Sequence, residues 1–422
     1  MDAVLLARLQ FATTASLHFL FVVLTLGLVT LLVYLQTAWW LTGRPVYGRM
    51  VRFWGTLYVI NYVLGIGTGI VMEFQFGLTW SGLSHAVGNV FGAPLAVETL
   101  LAFALESTFL GMWIFGWQRL PRWLHTLLLW LVAATAYLSA FWIMVANSFL
   151  QNPVGHEMRA GVAYLTDPGA LLTNPALGFA LGHVLSAALT TGGFFLAGVS
   201  AWHFLRRTAE VDFFRRSMRL GLTAGVVGVS LTMGFGFPQF GAVGAVQPTK
   251  YGDEAERAAL IAQWTAAYGP GDYTPPDWTG LPLAVMMGIA FLLAYAVFLL
   301  PLLYRDWLLR WRAPHYLLLA ALPLPFVAAA CGWLVREVGR APWAAYGLLT
   351  ARDAATPMSG GTALASLLGF TALVGGLAVA NWTLLARHAA RGPRDLALGR
   401  QPGDPGDDGP AAAPARPLLV AG

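Results

Sequence analysis

Residues 14–40 read TASLHFLFVVLTLGLVTLLVYLQTAWW, a stretch with no Asp, Glu, Lys or Arg. A bilayer core needs about 20 apolar residues at roughly 1.5 Å rise each, so this segment is long enough to cross as a helix. It follows Arg8 and runs on without a small-residue cleavage signal, which reads as a retained span rather than a removed signal peptide.

Similar stretches lie near 53–77, 94–117, 124–148, 176–204, 218–238, 281–304, 315–336 and 364–386. The chain is therefore expected to be an all-α polytopic membrane protein with about nine transmembrane helices. Composition agrees: of 422 residues 57% are hydrophobic and only 11% charged, with mean hydropathy +0.64. That is too little charge to wet a soluble surface. The formal net charge of +5 reflects Arg-rich loops rather than affinity for nucleic acid. The lone Cys331 excludes an internal disulfide, a thiolate cluster and a Cys-x-x-Cys-His haem attachment.

Alternate connections together with the C-terminal tail carry 18 of the 25 Lys and Arg residues. The positive-inside rule then places the tail in the cytoplasm and the N-terminus outside. The span-bearing domain is read as 1–390. Within it, residues 239–280 hold Lys250, Asp253, Glu254, Glu256 and a Gly- and Pro-rich stretch, an outer-face segment too long for a plain connection. From 391 to 422 Pro, Gly, Ala and Asp dominate, which reads as a disordered cytoplasmic tail. No internal repeat is evident.

Four side chains of metal-ligating type fall near one membrane face under this topology. His18 lies early in the first span, His183 early in the fifth, Met286 early in the seventh, and Glu337 closes the eighth. Two imidazoles, a thioether and a carboxylate suit haem iron, and their common depth suggests a stack of haems in a membrane redox enzyme. Each also has a plainer reading, as an interhelical hydrogen bond, as packing or as a helix end facing water. His85, His125, His156, His203, His315 and His388, at span ends or in loops, fit the plainer reading best.

Glu98 and Glu106 lie within the third span. An ionisable residue there costs about 2.5 to 3.5 kcal/mol on insertion scales and normally has a task. On a regular helix the two would lie roughly 12 Å apart along the axis and about 80° apart around it, so both could line one interior proton path. Structural hydrogen bonds to facing helices are the alternative.

Arg8-Leu-Gln-Phe-Ala, His18-Phe-Leu-Phe, Met72-Glu-Phe-Gln-Phe-Gly, Phe91-Gly-Ala-Pro-Leu-Ala-Val-Glu98, Leu105-Glu-Ser-Thr, Trp142-Ile-Met-Val-Ala-Asn147 and Gln151-Asn-Pro stand in this order along the chain. Gly332-Trp-Leu-Val-Arg-Glu-Val-Gly-Arg-Ala-Pro-Trp343 follows. Together these segments resemble subunit I of cytochrome bd-type quinol oxidases, in its short quinol-loop form, over the chain up to about 390.

The resemblance implies a terminal oxidase that oxidises menaquinol or ubiquinol, reduces O2 to water and builds a proton gradient without pumping. His183 and Met286 match the axial pair of a low-spin haem b, with Met287 the fallback. His18 and Glu337 match the axial ligands of a high-spin haem b and of a haem d or further haem b, their order left open. Glu98 and Glu106 match acidic residues of proton delivery, and Trp333 and Arg340 match residues beside the haems. The 239–280 segment corresponds to the quinol loop, with Gln247-Pro-Thr-Lys250 opening its recognition region and Lys250 a donor to a quinone carbonyl. Implied partners are a second polytopic subunit II, small single-span subunits and the bilayer of a prokaryotic cytoplasmic membrane.

The chain also departs from the family pattern. Ala284 stands where an Arg is usual, Ala341 where Gln is usual, and Gly234-Phe-Gly-Phe-Pro-Gln-Phe replaces an expected Gly-Asp. An acidic residue is expected at Ala255, which Glu254 and Glu256 flank. The motifs contain no cluster of three His for a dinuclear copper site, which argues against a haem-copper oxidase. Two further readings follow: an oxidase of the same fold with a non-quinol donor, and a haem-free transporter whose carboxylates carry ions.

Overall fold

The computed structural model describes residues 2–393 together with 398 and 399. Of the expected tail, 391–422, all but 391–393, 398 and 399 thus lie outside the described residues.

Among the described residues nine helices are long and apolar enough to cross a membrane, as expected. We label them with one loop helix in chain order: α1 Ala3–Thr42, α2 Pro45–Leu78, α3 Ser81–Phe115, α4 Arg122–Gln151, α5 Gly178–Leu205, α6 Val211–Val246, α7 Glu254–Tyr268 in the loop, α8 Asp277–Tyr304, α9 Arg312–Val338 and α10 Gly360–Arg391. Every spanning helix extends beyond its apolar stretch in at least one direction. Local signals set the real ends: Asp2 caps α1 by accepting from the Val4 amide at 3.0 Å, and Gly43, at φ 65°, closes it.

The α5–α6 pair is the most closely joined, and α1 lies against α2, α4, α5 and α10. Glycine makes these approaches possible. A Cβ on Gly193 would sit 2.3 Å from the Gly225 amide nitrogen, and one on Gly27 would sit 2.1 Å from the Ala188 carbonyl oxygen. Buried amides then cross-link the bundle. Asn61 donates to the Phe21 carbonyl at 2.9 Å, and Asn381 donates to Asn61 Oδ1 at 2.9 Å, tying α1, α2 and α10. His125 is one such structural group, bonded to Gln36 and to the Trp113 carbonyl, and His203 bonds the Ala389 carbonyl at 2.9 Å.

Two stretches differ from a plain reading of the sequence. Within α3, residues Glu98–Phe103 form a π-helical segment just after Pro94, which has no amide hydrogen to give the turn before it. The regular-helix phase between Glu98 and Glu106 therefore does not hold.

The 239–280 segment is folded rather than merely turn-rich. Helix α6 continues past Pro238 to Val246, a short turn Pro248–Tyr251 follows, and α7 is capped by Asp253 accepting from the Glu256 amide at 2.9 Å. Trp264 and Tyr273 pack with Trp343 and Tyr346 in one buried cluster, the Trp264 and Trp343 rings 4.7 Å apart. Tyr346 belongs to the turn between the small antiparallel strands Trp343–Ala345 and Leu349–Thr350. Its hydroxyl meets Thr249 Oγ1 at 2.7 Å, which anchors the Lys250 turn above α9.

Candidate functional site

Two cavities lie side by side in the bundle. The larger, about 400 Å³, is lined by His18, Glu98, Glu106, Trp333, Glu337 and Arg340, with Arg8, Glu73 and Asn147. The smaller, about 190 Å³, is lined by His183, Met286, Met287, Trp333 and Lys250, with Gln247 and Arg336. Every site residue singled out in the sequence lines one or the other. Phe19, Met144, Val184 and Trp333 line both and form the wall between them. Within that wall the Phe19 and Trp333 rings stack, centroids 5.4 Å apart and planes 20° apart.

An axial ligand to iron must offer a lone pair, so the tautomer of each imidazole decides whether haem fits. His183 Nδ1 lies 2.9 Å from the Thr232 carbonyl oxygen, which can only accept. Nδ1 must then carry the hydrogen, leaving Nε2 with a lone pair. His18 Nδ1 lies 2.8 Å from Thr68 Oγ1, whose own hydrogen goes to the Gly65 carbonyl at 2.7 Å. Thr68 therefore accepts from His18, and His18 Nε2 is likewise free to ligate. Neither Thr68 nor Thr232 was singled out from sequence, because nothing in one chain links them to a histidine on another helix.

Glu337 is held on both oxygens. Asn147 donates to Oε1 at 2.7 Å, with Gln151 at 3.4 Å, and Arg340 Nη2 donates to Oε2 at 2.8 Å. The Arg340 and Glu337 side chains are only 8% and 7% exposed. Arg340 Nε and Nη1 and Trp333 Nε1 are buried without hydrogen-bond partners. Such donors are costly unless something accepts from them, and acidic haem substituents are acceptors of the required kind. The larger cavity also falls in the range of about 300–1,000 Å³ typical of cofactor sites. The smaller one is walled by Met144, Met233, Met286 and Met287, unbranched side chains that adapt to an occupant. Haem thus fits the donor sets present.

Met286 packs against Gly332 of α9, where an added Cβ would come within 2.9 Å of its sulfur. Met287 reaches the same cavity, so the lining alone leaves either thioether available.

The acidic pair shares the larger cavity despite the π-helical interruption. Glu98 accepts a short hydrogen bond from Ser139 and a second from Thr99 at 3.1 Å. Glu106 is buried, its side chain facing the same space.

Lys250 donates to the Val335 carbonyl at 2.8 Å. Burial, joined by the Arg336 charge, lowers its pKa from 10.5 to about 7. Glu254 and Glu256, flanking the expected acidic position, are exposed on the first turn of α7 and line neither cavity. Arg336, in the sequence only one residue of the Gly332–Trp343 stretch, is a wall of the smaller cavity.

Comparison with known proteins gives the family. The family model described as cytochrome bd terminal oxidase subunit I matches residues 6–266 and 267–393. The chain is 38% identical to cytochrome bd ubiquinol oxidase subunit 1 of Bacillus subtilis, over 88% of this chain and 90% of that one. It is 42% identical to cytochrome bd-II ubiquinol oxidase subunit 1 of Escherichia coli, over 66% of this chain and 53% of that one. The structure of bd oxidase from Geobacillus thermodenitrificans superposes with a TM-score of 0.81 at 25% identity, covering 93% of this chain and 99% of that one. With nine spans among its described residues, paired cavities and matching sequence, the chain belongs to the cytochrome bd terminal oxidase subunit I family.

Proposed function

We propose that this subunit oxidises quinol at the outer face of a prokaryotic cytoplasmic membrane and carries the site where O2 is reduced to water. The observation behind this reading is the pair of adjoining cavities, each with one imidazole whose Nε2 is free and with a second side chain able to ligate iron. Haem, when bound, supplies one-electron redox chemistry and an iron able to take O2.

His183 with Met286 would hold a low-spin haem b. His18 and Glu337 would each hold one of two further haems, a high-spin haem b and a haem d or another haem b. Asn147 and Arg340 fix the Glu337 carboxylate, and Arg340 offsets acidic haem substituents. Trp333 and Phe19, stacked on each other, stand between the two cavities.

Lys250, on the loop over the smaller cavity, would donate to a quinone carbonyl. Glu98 and Glu106 would hold protons on the way to the larger cavity. With quinol protons released outside and substrate protons drawn from the cytoplasm, a gradient forms without pumping. A second polytopic subunit, and small single-span subunits, would complete the assembly.

Quinol-driven O2 consumption by the purified complex, together with extraction and identification of its porphyrins, tests this reading. The exposure of Glu254 and Glu256 favours one second reading, a donor other than quinol. Full activity with menaquinol or ubiquinol excludes that reading, and absence of haem excludes both.

A further inference from the structure

The two cavities differ in charge. The larger has Glu73, Glu98, Glu106 and Glu337 against Arg8 and Arg340. The smaller has Lys250 and Arg336, and no Asp or Glu lines it. Arg336 is bonded only to neutral acceptors: its Nε donates to Asn147 Oδ1 at 2.5 Å, and its Nη2 donates to Ser148 Oγ and to the Ala176 carbonyl, both at 3.4 Å. Glu337, the next residue, is already engaged by Asn147, Gln151 and Arg340.

Consecutive helical positions point about 100° apart. The last turn of α9 therefore presents Glu337 to one cavity and Arg336 to the other. A cation with no counter-charge inside a protein is unfavourable by several kcal/mol, unless a bound group brings the missing negative charge.

The geometry points to Arg336 as the positioning residue of the smaller cavity: its guanidinium neutralises the acidic substituents of the group held by His183 and Met286, and favours that group's reduced state. This rests on the haem reading of the cavity. The one nearby carboxylate, Glu337, is paired with Arg340 at 2.8 Å, so Arg336, Glu337 and Arg340 together keep one positive charge in the free site, and that charge acts on an electron added there. Across the width of such a site, at the effective dielectric of protein interiors, one charge changes the reduction equilibrium by about tenfold or more.

Redox titration of the purified complex, followed through its low-spin haem band, tests this in R336Q, R336M and R336K. Both neutral variants should lower the reduction equilibrium constant of that haem about tenfold, ~59 mV for a one-electron couple. R336K should stay near the wild-type value. Selective loss of the low-spin band from both neutral variants, with the other haem bands intact and the band restored in R336K, also supports the assignment. A wild-type potential in either neutral variant overturns it. So does failure of all three variants to assemble, which would make Arg336 a tie between α9 and α4 only. Absence of a low-spin haem from the wild-type complex is a different outcome and overturns the cavity reading itself.

Discussion

Asn147 donates to Glu337 Oε1 at 2.7 Å while its Oδ1 accepts from Arg336 Nε at 2.5 Å. One amide on α4 thus fixes two neighbouring side chains of α9 that serve different cavities. Asn147→Leu removes both bonds, each involving a charged partner and worth about 1.5–3 kcal/mol. The expected outcome is a less stable complex whose larger-cavity haem is lost first on heating, read from its absorption bands. Unchanged thermal retention would show that the amide does not fix the carboxylate.

Thr68 determines which nitrogen of His18 is free. Thr68→Val keeps the shape and removes the acceptor, and loss of an orienting partner of this kind typically weakens metal affinity about 10–100-fold. Haem content after dilution should fall in T68V, with the low-spin haem spectrum untouched. Equal retention in wild type and variant would contradict the tautomer assignment.

The sequence distinguishes Met286 from Met287 only by resemblance, but the approach of Met286 to Gly332 adds a physical reason. Met286→Leu should convert the low-spin spectrum to a high-spin one, whereas Met287→Leu should leave it. Gly332→Ala, whose new methyl would crowd the Met286 sulfur, should perturb the same band. The reverse pattern for the two methionines would move the ligand by one residue.

Much of this architecture is legible in the sequence because a bilayer leaves few options for an apolar stretch. The span count and the grouping of His18, His183, Met286 and Glu337 follow from lengths and depths alone. Depth does not divide those four between two cavities; the resemblance alone pairs His183 with Met286 and sets His18 and Glu337 apart, because the dividing wall is made by Phe19, Met144, Val184 and Trp333 from four helices. The π-helical segment at Glu98 is equally hidden, because Pro94 signals a disturbance without specifying its form. The inward turn of Arg336 is hidden for a similar reason: a helix-end Arg ordinarily snorkels to water, and its partners Asn147, Ser148 and Ala176 are far from it in sequence.

Lys250 gives the quinol reading a pH signature. Its pKa is lowered to about 7, so the ammonium predominates below that pH and the neutral amine above it. A charged donor to a quinone carbonyl is worth about 1 kcal/mol more than a neutral one. KM for quinol should therefore be lowest below pH 7 and rise about fivefold as the pH passes through that value. Lys250→Met should show the higher KM throughout, without the inflection. A wild-type profile in K250M would place quinol elsewhere.

In the proposed function His183 holds haem iron on one side of the Phe19–Trp333 wall and His18 on the other. The most direct measurement is the haem content and absorption spectrum of the purified complex, compared among wild type, His183→Ala and His18→Ala. Haem is expected in the wild type, with selective loss of the low-spin band in H183A and loss of a different, oxygen-reactive band in H18A. A wild-type complex without haem, or two variants whose spectra both match the wild type, would contradict it.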